Sequence, residues 1–285
     1  MILVTGATGT IGRHLVRALD DAGASFRALV RDEAKGRKLG CDFVVGDLDE
    51  PASVSAALKG VDRLLLNSGG ALPVPGPQPM VRQQIAAIDA ARTAEVAQLV
   101  KVSAWQPGPE AKLSVRAHWE IEQHLHGSGL TWSTLQPTGY MQNFFTGEGG
   151  FAGDNTVAGP YGEGRVAYID AYDIAACAAV LLTSDPEDAG TVHPLTGPEA
   201  LTHREIAAKL GAPFRDLPPA EAAEDLRARG LPDWFVTDLL WLYADMASGG
   251  MSEVIPTVRE LTGRAPRTFD EFLAANRSST TFRVE

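Results

Sequence analysis

The sequence predicts an α/β fold, a doubly wound parallel sheet followed by a smaller C-terminal α/β unit. Three observations predict it. An apolar run at the start of the chain meets evenly spaced glycines, strand-like and helix-like segments alternate through the first half, and beyond residue 150 short mixed elements replace that alternation.

The opening segment, MILVTGATGTIGRHLV, carries the apolar run Ile2-Leu3-Val4, then Gly6, Gly9 and Gly12, then Ile11, Leu15 and Leu19 at helical spacing. It reads as strand, glycine turn and helix. Such a turn gathers backbone N–H groups and a helix N-terminus at one point, where a dinucleotide pyrophosphate is held without a cationic side chain. The spacing is G-x-x-G-x-x-G, not the general G-x-G-x-x-G, so the flanking strand and helix carry the reading. The sheet is therefore expected to be Rossmann-type, with Gly6, Thr8, Gly9, Thr10, Ile11 and Gly12 lining a cofactor.

Further strands are expected at 26–30, 43–45, 63–67, 99–103 and 131–136. Between them, Asp49-Glu50-Pro51 starts a helix that runs to Leu58, 81–96 has an Ala-rich helical pattern, and 113–125 forms another helix before Gly127 and Gly129. Residues 69–79, GGALPVPGPQP, hold too much Gly and Pro for either period and read as a loop. In open α/β sheets ligands sit outside the carboxyl ends of the strands, which directs attention to 6–12, 31–35, 67–79, 103–112 and 137–150.

In the second half, 172–182 and 204–210 read as helices, and 191–194 and 214–217 as short strands. Thr202-x-x-Glu205 and Thr268-x-x-Glu271 match capping boxes. The expected organisation is a dinucleotide-binding domain over 1–150 and a mainly substrate-binding subdomain over 151–285, with the strand and helix near 160–195 returning to the first. Trp234, Phe235, Leu239, Leu240, Trp241 and Tyr243 surround one helix, which suits core packing above all and leaves Trp234 and Trp241 as candidate pocket walls.

Acidic residues outnumber basic ones to give a net charge of −11, and no Lys/Arg run occurs, which argues against nucleic acid as a direct partner. Cys41 and Cys177 are far apart, with no metal-ligand spacing, so neither a metal nor a disulfide framework is expected. No leader pattern precedes the first strand and no apolar stretch is long enough for a membrane span. A cytoplasmic protein without membrane contact is the expectation.

Val30-Arg31-Asp32 follows the second strand, where the ribose of a bound dinucleotide would lie. A carboxylate there favours the free hydroxyls of NAD, whereas a guanidinium pairs with the extra phosphate of NADP. Arg31, with Lys35 in support, favours NADP(H) over NAD(H), while Asp32 reads either as a ribose acceptor or as a helix N-cap. Asp47 and Leu48, after the third strand, are candidates for the adenine edge, and Asp47 equally suits a plain turn.

The sequence resembles the NmrA-like, atypical members of the short-chain dehydrogenase/reductase superfamily, which include NAD(P)H-dependent quinone reductases. The likeness rests on VTGATGTIG, ALVRD, GDL at 46–48, AIDAARTAEVAQLVKVSA at 87–104, HWEIEQHLHGSGLTWSTLQP at 118–137, YIDAYDIAACAA and LTGRAPRTFDEFL. It implies a Rossmann domain with a small C-terminal substrate domain. It also implies a nicotinamide near 67–69, 103–104 and 137–143, making Asn67, Ser68, Gly69, Ser103 and Pro137 cofactor neighbours and Tyr140, Met141 and Asn143 pocket residues. Trp105 and Phe144, in the same two loops, join them as pocket candidates.

The wider superfamily uses a Tyr-x-x-x-Lys pair to move a proton. Ser114 and His118, in SVRAH, stand at those positions, so the pair is absent. His118, titrating near neutrality, is one candidate acid, although a lone histidine one turn from Glu122 more often forms a surface or helix-packing pair. Tyr140 is a second candidate phenol or a pocket wall. A quinone-like or polycyclic aromatic acceptor needs a positioned hydride more than a strong protein acid. The leading expectation is therefore an NAD(P)H-dependent reductase of a small aromatic, quinone-like or carbonyl substrate. Two other readings are a non-catalytic redox sensor that signals to a protein partner and a cofactor-bound dehydratase or isomerase.

Overall fold

A computed structural model describes residues 1–146, 155–185 and 190–276. The first part of the chain runs β1 (Ile2–Val4), α1 (Thr10–Asp21), β2 (Phe26–Val30), α2 (Glu33–Arg37), β3 (Phe43–Val45), α3 (Pro51–Ala57) and β4 (Arg63–Leu66). It continues through α4 (Pro79–Thr93), β5 (Gln98–Val102), α5 (Leu113–His126) and β6 (Trp132–Pro137). Then come α6 (Asn143–Thr146), β7 (Val157–Gly159), β8 (Arg165–Val166), α7 (Ala171–Thr183), β9 (Thr191–Leu195), β10 (Leu201–Thr202), α8 (His203–Leu210) and β11 (Phe214–Asp216). Four helices close the described chain: α9 (Pro219–Ala228), α10 (Asp233–Ser248), α11 (Thr257–Thr262) and α12 (Phe269–Ala275).

Contacts divide the chain into two units, Met1–Pro137 with Ala171–Pro194, and Thr138–Asp170 with Leu195–Glu285. The chain passes from one to the other after 137, 170 and 194.

The first unit is built on a seven-stranded sheet in the order β3-β2-β1-β4-β5-β6-β9. Pairing from β3 to β6 is parallel, with Leu3 opposite Leu64 and Lys101 opposite Thr134. The reversal of strand order about β1 and β4 is the doubly wound topology, and it puts the glycine turn after β1 at the switch point. Alternate strand side chains face opposite layers. Leu3, Leu64, Leu66 and Leu99 pack with Ile88 of α4 and Ala117, Ile121 and Leu125 of α5. On the other face α1 and α7 pack together, and the His14 ring meets Tyr172 edge-on with centroids 5.7 Å apart.

The second unit holds two small sheets, antiparallel β10–β8 and parallel β11–β7. Phe144, Tyr168, Phe269 and Phe272 are buried in its core, and Tyr161 stacks on His203 at 3.5 Å. Both predicted capping boxes form, Thr202 with Glu205 on α8 and Thr268 with Glu271 on α12. Within 137–150, residues 147–150 lie outside the described residues.

Candidate active site

The glycines after β1 form a cradle with almost no spare volume. Gly6 has φ +64°, and a Cβ there would sit 2.9 Å from the Asn67 carbonyl oxygen. A Cβ on Gly12 would collide with the Gly6 carbonyl and lie 2.6 Å from the Ala7 Cα. This packing draws α1 against the end of β1. Gly9 is the N-cap of α1 and supplies no side-chain cap, while Gly9 and Thr10 are exposed. The first N–H groups of a twelve-residue helix are thus left for an anion, as a pyrophosphate requires. The chain's own residues fit a dinucleotide here: Gly6, Thr8, Gly9, Thr10, Ile11 and Gly12 all lie on the turn or the first helical turn, and Ile11 anchors it from the core.

The neighbouring strand end is pinned by a residue that sequence reasoning missed. Thr5 Oγ1 accepts the Asn67 N–H at 2.8 Å and donates to a carbonyl, Asn67 at 2.8 Å or Leu65 at 3.0 Å. Ser68 Oγ accepts from Gln84 Nε2 at 2.7 Å, which fixes the exit from β4. Gly69 is exposed, and a Cβ on it would meet nothing.

At the end of β2, Asp32 caps α2 by accepting the Lys35 N–H at 2.9 Å. Its carboxylate is thus engaged in the helix, whereas Arg31 and Lys35 are exposed. Arg31 contributes to holding the Asp49 carboxyl below its usual range, behind hydrogen bonds from Gln83 and Arg82. Asp47 behaves as a turn residue: its Oδ1 accepts the Asp49 N–H at 3.1 Å and its own N–H meets Ser53 Oγ at 3.0 Å. Leu48 packs against the core.

Beyond β5 and along α5 lies a buried polar group that the sequence analysis also missed. Lys101, the penultimate residue of β5, is fully buried, and its Nζ lies 2.8 Å from His118 Nδ1 and 3.0 Å from the Val102 carbonyl oxygen. Burial pushes the Lys101 ammonium down to about 7, against the pull of Glu122. Burial first, and the Lys101 charge second, hold His118 well below the ordinary histidine range. Both sequence readings of His118 are corrected: burial takes the ring away from near-neutral titration, and the pair with Glu122 does not form, because Glu122 instead accepts Gln136 Nε2 at 3.0 and 3.1 Å. The signal was a lysine inside the otherwise apolar run LVKV. Ser103 is 2% exposed, and its Oγ has no hydrogen-bond partner among the described residues. Trp105 and Pro137 are buried.

The candidate pocket residues of the second unit divide by burial. Met141 and Phe144 are core, the latter packing edge-on to Tyr168 at 4.9 Å and Phe269 at 5.6 Å. Tyr140 pairs with Ile169 in an isolated bridge, and burial pushes its phenol well above the usual range, so it is a neutral hydroxyl at ordinary pH. Asn143 is half-buried at the start of α6. On α10, Phe235 and Val236 are the buried side chains, while Trp234 and Trp241 remain 38% and 37% exposed. Core packing therefore does not account for these two indoles, which lie seven residues apart on one helix face. Among the described residues no cluster of His, Cys, Asp or Glu could hold a metal, and no helix is long and apolar enough to cross a membrane.

The doubly wound sheet and its glycine cradle define a Rossmann-type dinucleotide-binding protein. The family described as NAD(P)H-binding matches residues 6–185, and the chain belongs to it. An NAD(P)H azoreductase of Xenophilus azovorans is 37% identical, over 97% of this chain and 98% of that one. A (4-alkanoyl-5-oxo-2,5-dihydrofuran-3-yl)methyl phosphate reductase of Streptomyces griseus is 34% identical, over 96% and 97%. The crystal structure of the NADPH-dependent quinone oxidoreductase 2 of Escherichia coli, complexed with NADPH, superposes with a TM-score of 0.82 at 27% identity, over 96% of this chain and 99% of that one. The chain is an NAD(P)H-dependent reductase.

Proposed function

We propose that this protein is an NADPH-preferring reductase of small conjugated acceptors, quinones and azo compounds, working in the cytoplasm without a Tyr-x-x-x-Lys pair. The observation that carries the reading is the intact cradle at Gly6, Gly9 and Gly12, in a chain related end to end to reductases of azo and quinone substrates. Bound NADPH supplies the hydride.

The chain's residues do the rest. The open first turn of α1 holds the pyrophosphate, and Thr5 fixes Asn67 beside it. Arg31 pairs with the 2′-phosphate, a role that Asp32 does not contest because its carboxylate caps α2. Asn67, Ser68, Gly69, Ser103 and Pro137 border the nicotinamide. Tyr140, Asn143, Trp234 and Trp241 are the side chains of the second unit that we assign to substrate. A conjugated acceptor delocalises the charge it gains, so positioning matters more than a strong acid in this site. No observation favours the sensor or the dehydratase reading.

The test is to mix the pure protein with NADPH and a panel of benzoquinones, naphthoquinones and azobenzenes and to follow loss of reduced-nicotinamide absorbance. Turnover on at least one class is expected, with NADH slower. No turnover on any acceptor would overturn the reading.

A further inference from the structure

We propose that Lys101 and His118 form a two-residue proton relay, in which His118 Nε2 gives the proton to the reduced substrate and Lys101 holds the proton that replaces it. The proposal rests on the reductase reading above and assigns the proton that a missing Tyr-Lys pair leaves unassigned.

The geometry fixes the direction of the relay. An ammonium has only donors, and one Lys101 N–H is directed to the Val102 carbonyl at 3.0 Å. A second is directed to His118 Nδ1 at 2.8 Å, so in this state Nδ1 is the acceptor and the ring proton sits on Nε2. His118 is only half-buried, and the relay takes its Nε2 edge as the part open to a bound molecule, whereas Lys101 is sealed and would reach that molecule through the ring.

Placement on the strand points the same way. Leu99, Lys101 and Ser103 alternate onto the α5 face of the sheet, and the Ser103 N–H continues the ladder to the Leu135 carbonyl at 2.7 Å. Ser103 carries a buried hydroxyl without a partner, one strand repeat beyond Lys101 at the carboxyl end of β5. That edge is the ligand edge of a doubly wound sheet. A buried hydroxyl left unpaired costs stability, and a substrate oxygen or nitrogen at this edge would satisfy it.

The step balances. Hydride addition leaves the acceptor with one negative charge. His118 Nε2–H gives its proton to that atom, and Lys101 gives one N–H proton to Nδ1. The products are a neutral reduced substrate, a neutral imidazole in its other tautomer and a neutral Lys101 amine; between turnovers solvent protonates His118 Nε2 and Nδ1–H returns its proton to Lys101, which resets both groups. Lys101, held down at about 7, releases its proton readily, while His118, held neutral, conducts rather than stores.

Glu122 on α5 raises the proton affinity of Lys101, and β4 and β6 bring Leu66 and Thr134 opposite it. Asp89 of α4 is taken by His124, and α7 brings Asp173 and Cys177 to the other face of the sheet. Desolvation is the largest influence.

The first test needs no cofactor. In protein labelled with ¹⁵N-histidine, the His118 signal, assigned by its loss in His118→Asn, is expected to report the Nε2–H tautomer below pH 7. It should shift with a midpoint of about 7 as Lys101 titrates, and lose that midpoint in Lys101→Met. In turnover, kcat/KM for the acceptor should fall above about pH 7 in the wild type. Lys101→Met should lower kcat by about 10²-fold or more with no such pH dependence, while its NADPH affinity by calorimetry stays within about twofold. Lys101→Arg keeps the charge and a donor but cannot release a proton, so it should stay slow. Wild-type turnover in Lys101→Met, or a His118 signal that does not titrate between pH 6 and 9, would overturn the relay. If no acceptor is turned over, the reductase reading falls and the relay with it, while a failed histidine titration in an enzyme that does turn over overturns the relay alone.

Discussion

Thr5 Oγ1 and the Asn67 N–H lie 2.8 Å apart, a hydrogen bond that ties the carboxyl end of β1 to the carboxyl end of β4 just before the cofactor cradle. Thr5 is 1% exposed, so water cannot replace the hydroxyl. Thr5→Val keeps the shape and strands the Asn67 N–H. The expected cost is about 1–3 kcal/mol, read as a lower urea midpoint, together with weaker NADPH binding because Asn67 also borders Gly6. An unchanged midpoint would show that the tie contributes nothing.

Gly12 has no room for a methyl group, since its Cβ would lie 2.6 Å from the Ala7 Cα. Gly12→Ala must push α1 away from β1, at about 1–3 kcal/mol. Because that movement opens the cradle, calorimetry should find NADPH affinity reduced by at least about tenfold, even in protein that stays folded. Gly69→Ala, where a Cβ meets nothing, is the control and should leave the fold unchanged.

Arg31 should separate the two cofactors. A hydrogen bond to a charged group contributes about 1.5–3 kcal/mol, or roughly a tenfold to hundredfold preference. Arg31→Ala is expected to weaken NADPH by that factor and NADH by less than about twofold. Equal losses would remove Arg31 from the site.

Lys101 makes stability depend on pH in a defined direction. Its proton affinity is lowered on folding, from about 10.4 unfolded to about 7 folded. Between these values the unfolded chain binds the extra proton, so stability rises with pH across that window and is flat, as far as this group is concerned, below it. The gain is roughly 3–5 kcal/mol at most. Lys101→Met removes the group, so the mutant should exceed the wild type most at pH 6–7, with the gap closing towards pH 10. Parallel urea midpoints across that range would contradict the burial of a titrating lysine.

Asp170 tests the second unit by itself. It is 1% exposed, with Gln142 Nε2 at 2.6 Å and Arg267 Nη1 at 3.1 Å. Arg267→Met withdraws the cation from a buried carboxylate. About 1–3 kcal/mol of destabilisation is expected, because Arg267 is partly solvated and Gln142 remains. Its readout is faster proteolysis within the segments of that unit.

The layers of the fold were legible wherever the sequence repeats. Parallel strands buried on both faces read as apolar runs, and α4, α5 and α7 carry their own period, so their ends fall within a few residues of expectation. Short elements such as α2, β8, β10 and α9 left no such pattern. The glycine cradle was legible because only Gly satisfies both its φ and its close approaches. The Lys101–His118 contact was not, since seventeen residues separate the pair and only the packing of α5 on β5 joins them. For Trp234 and Trp241 the core and pocket readings did not separate in the sequence, because a helix apolar on most sides does not announce which side is buried.

The most direct test of the account is turnover itself, measured anaerobically with NADPH and NADH against quinone and azo acceptors, with product formation and cofactor oxidation followed together. Stoichiometric oxidation of the cofactor and reduction of the acceptor are expected, faster with NADPH. Tight NADPH binding with no oxidation by any acceptor would contradict it.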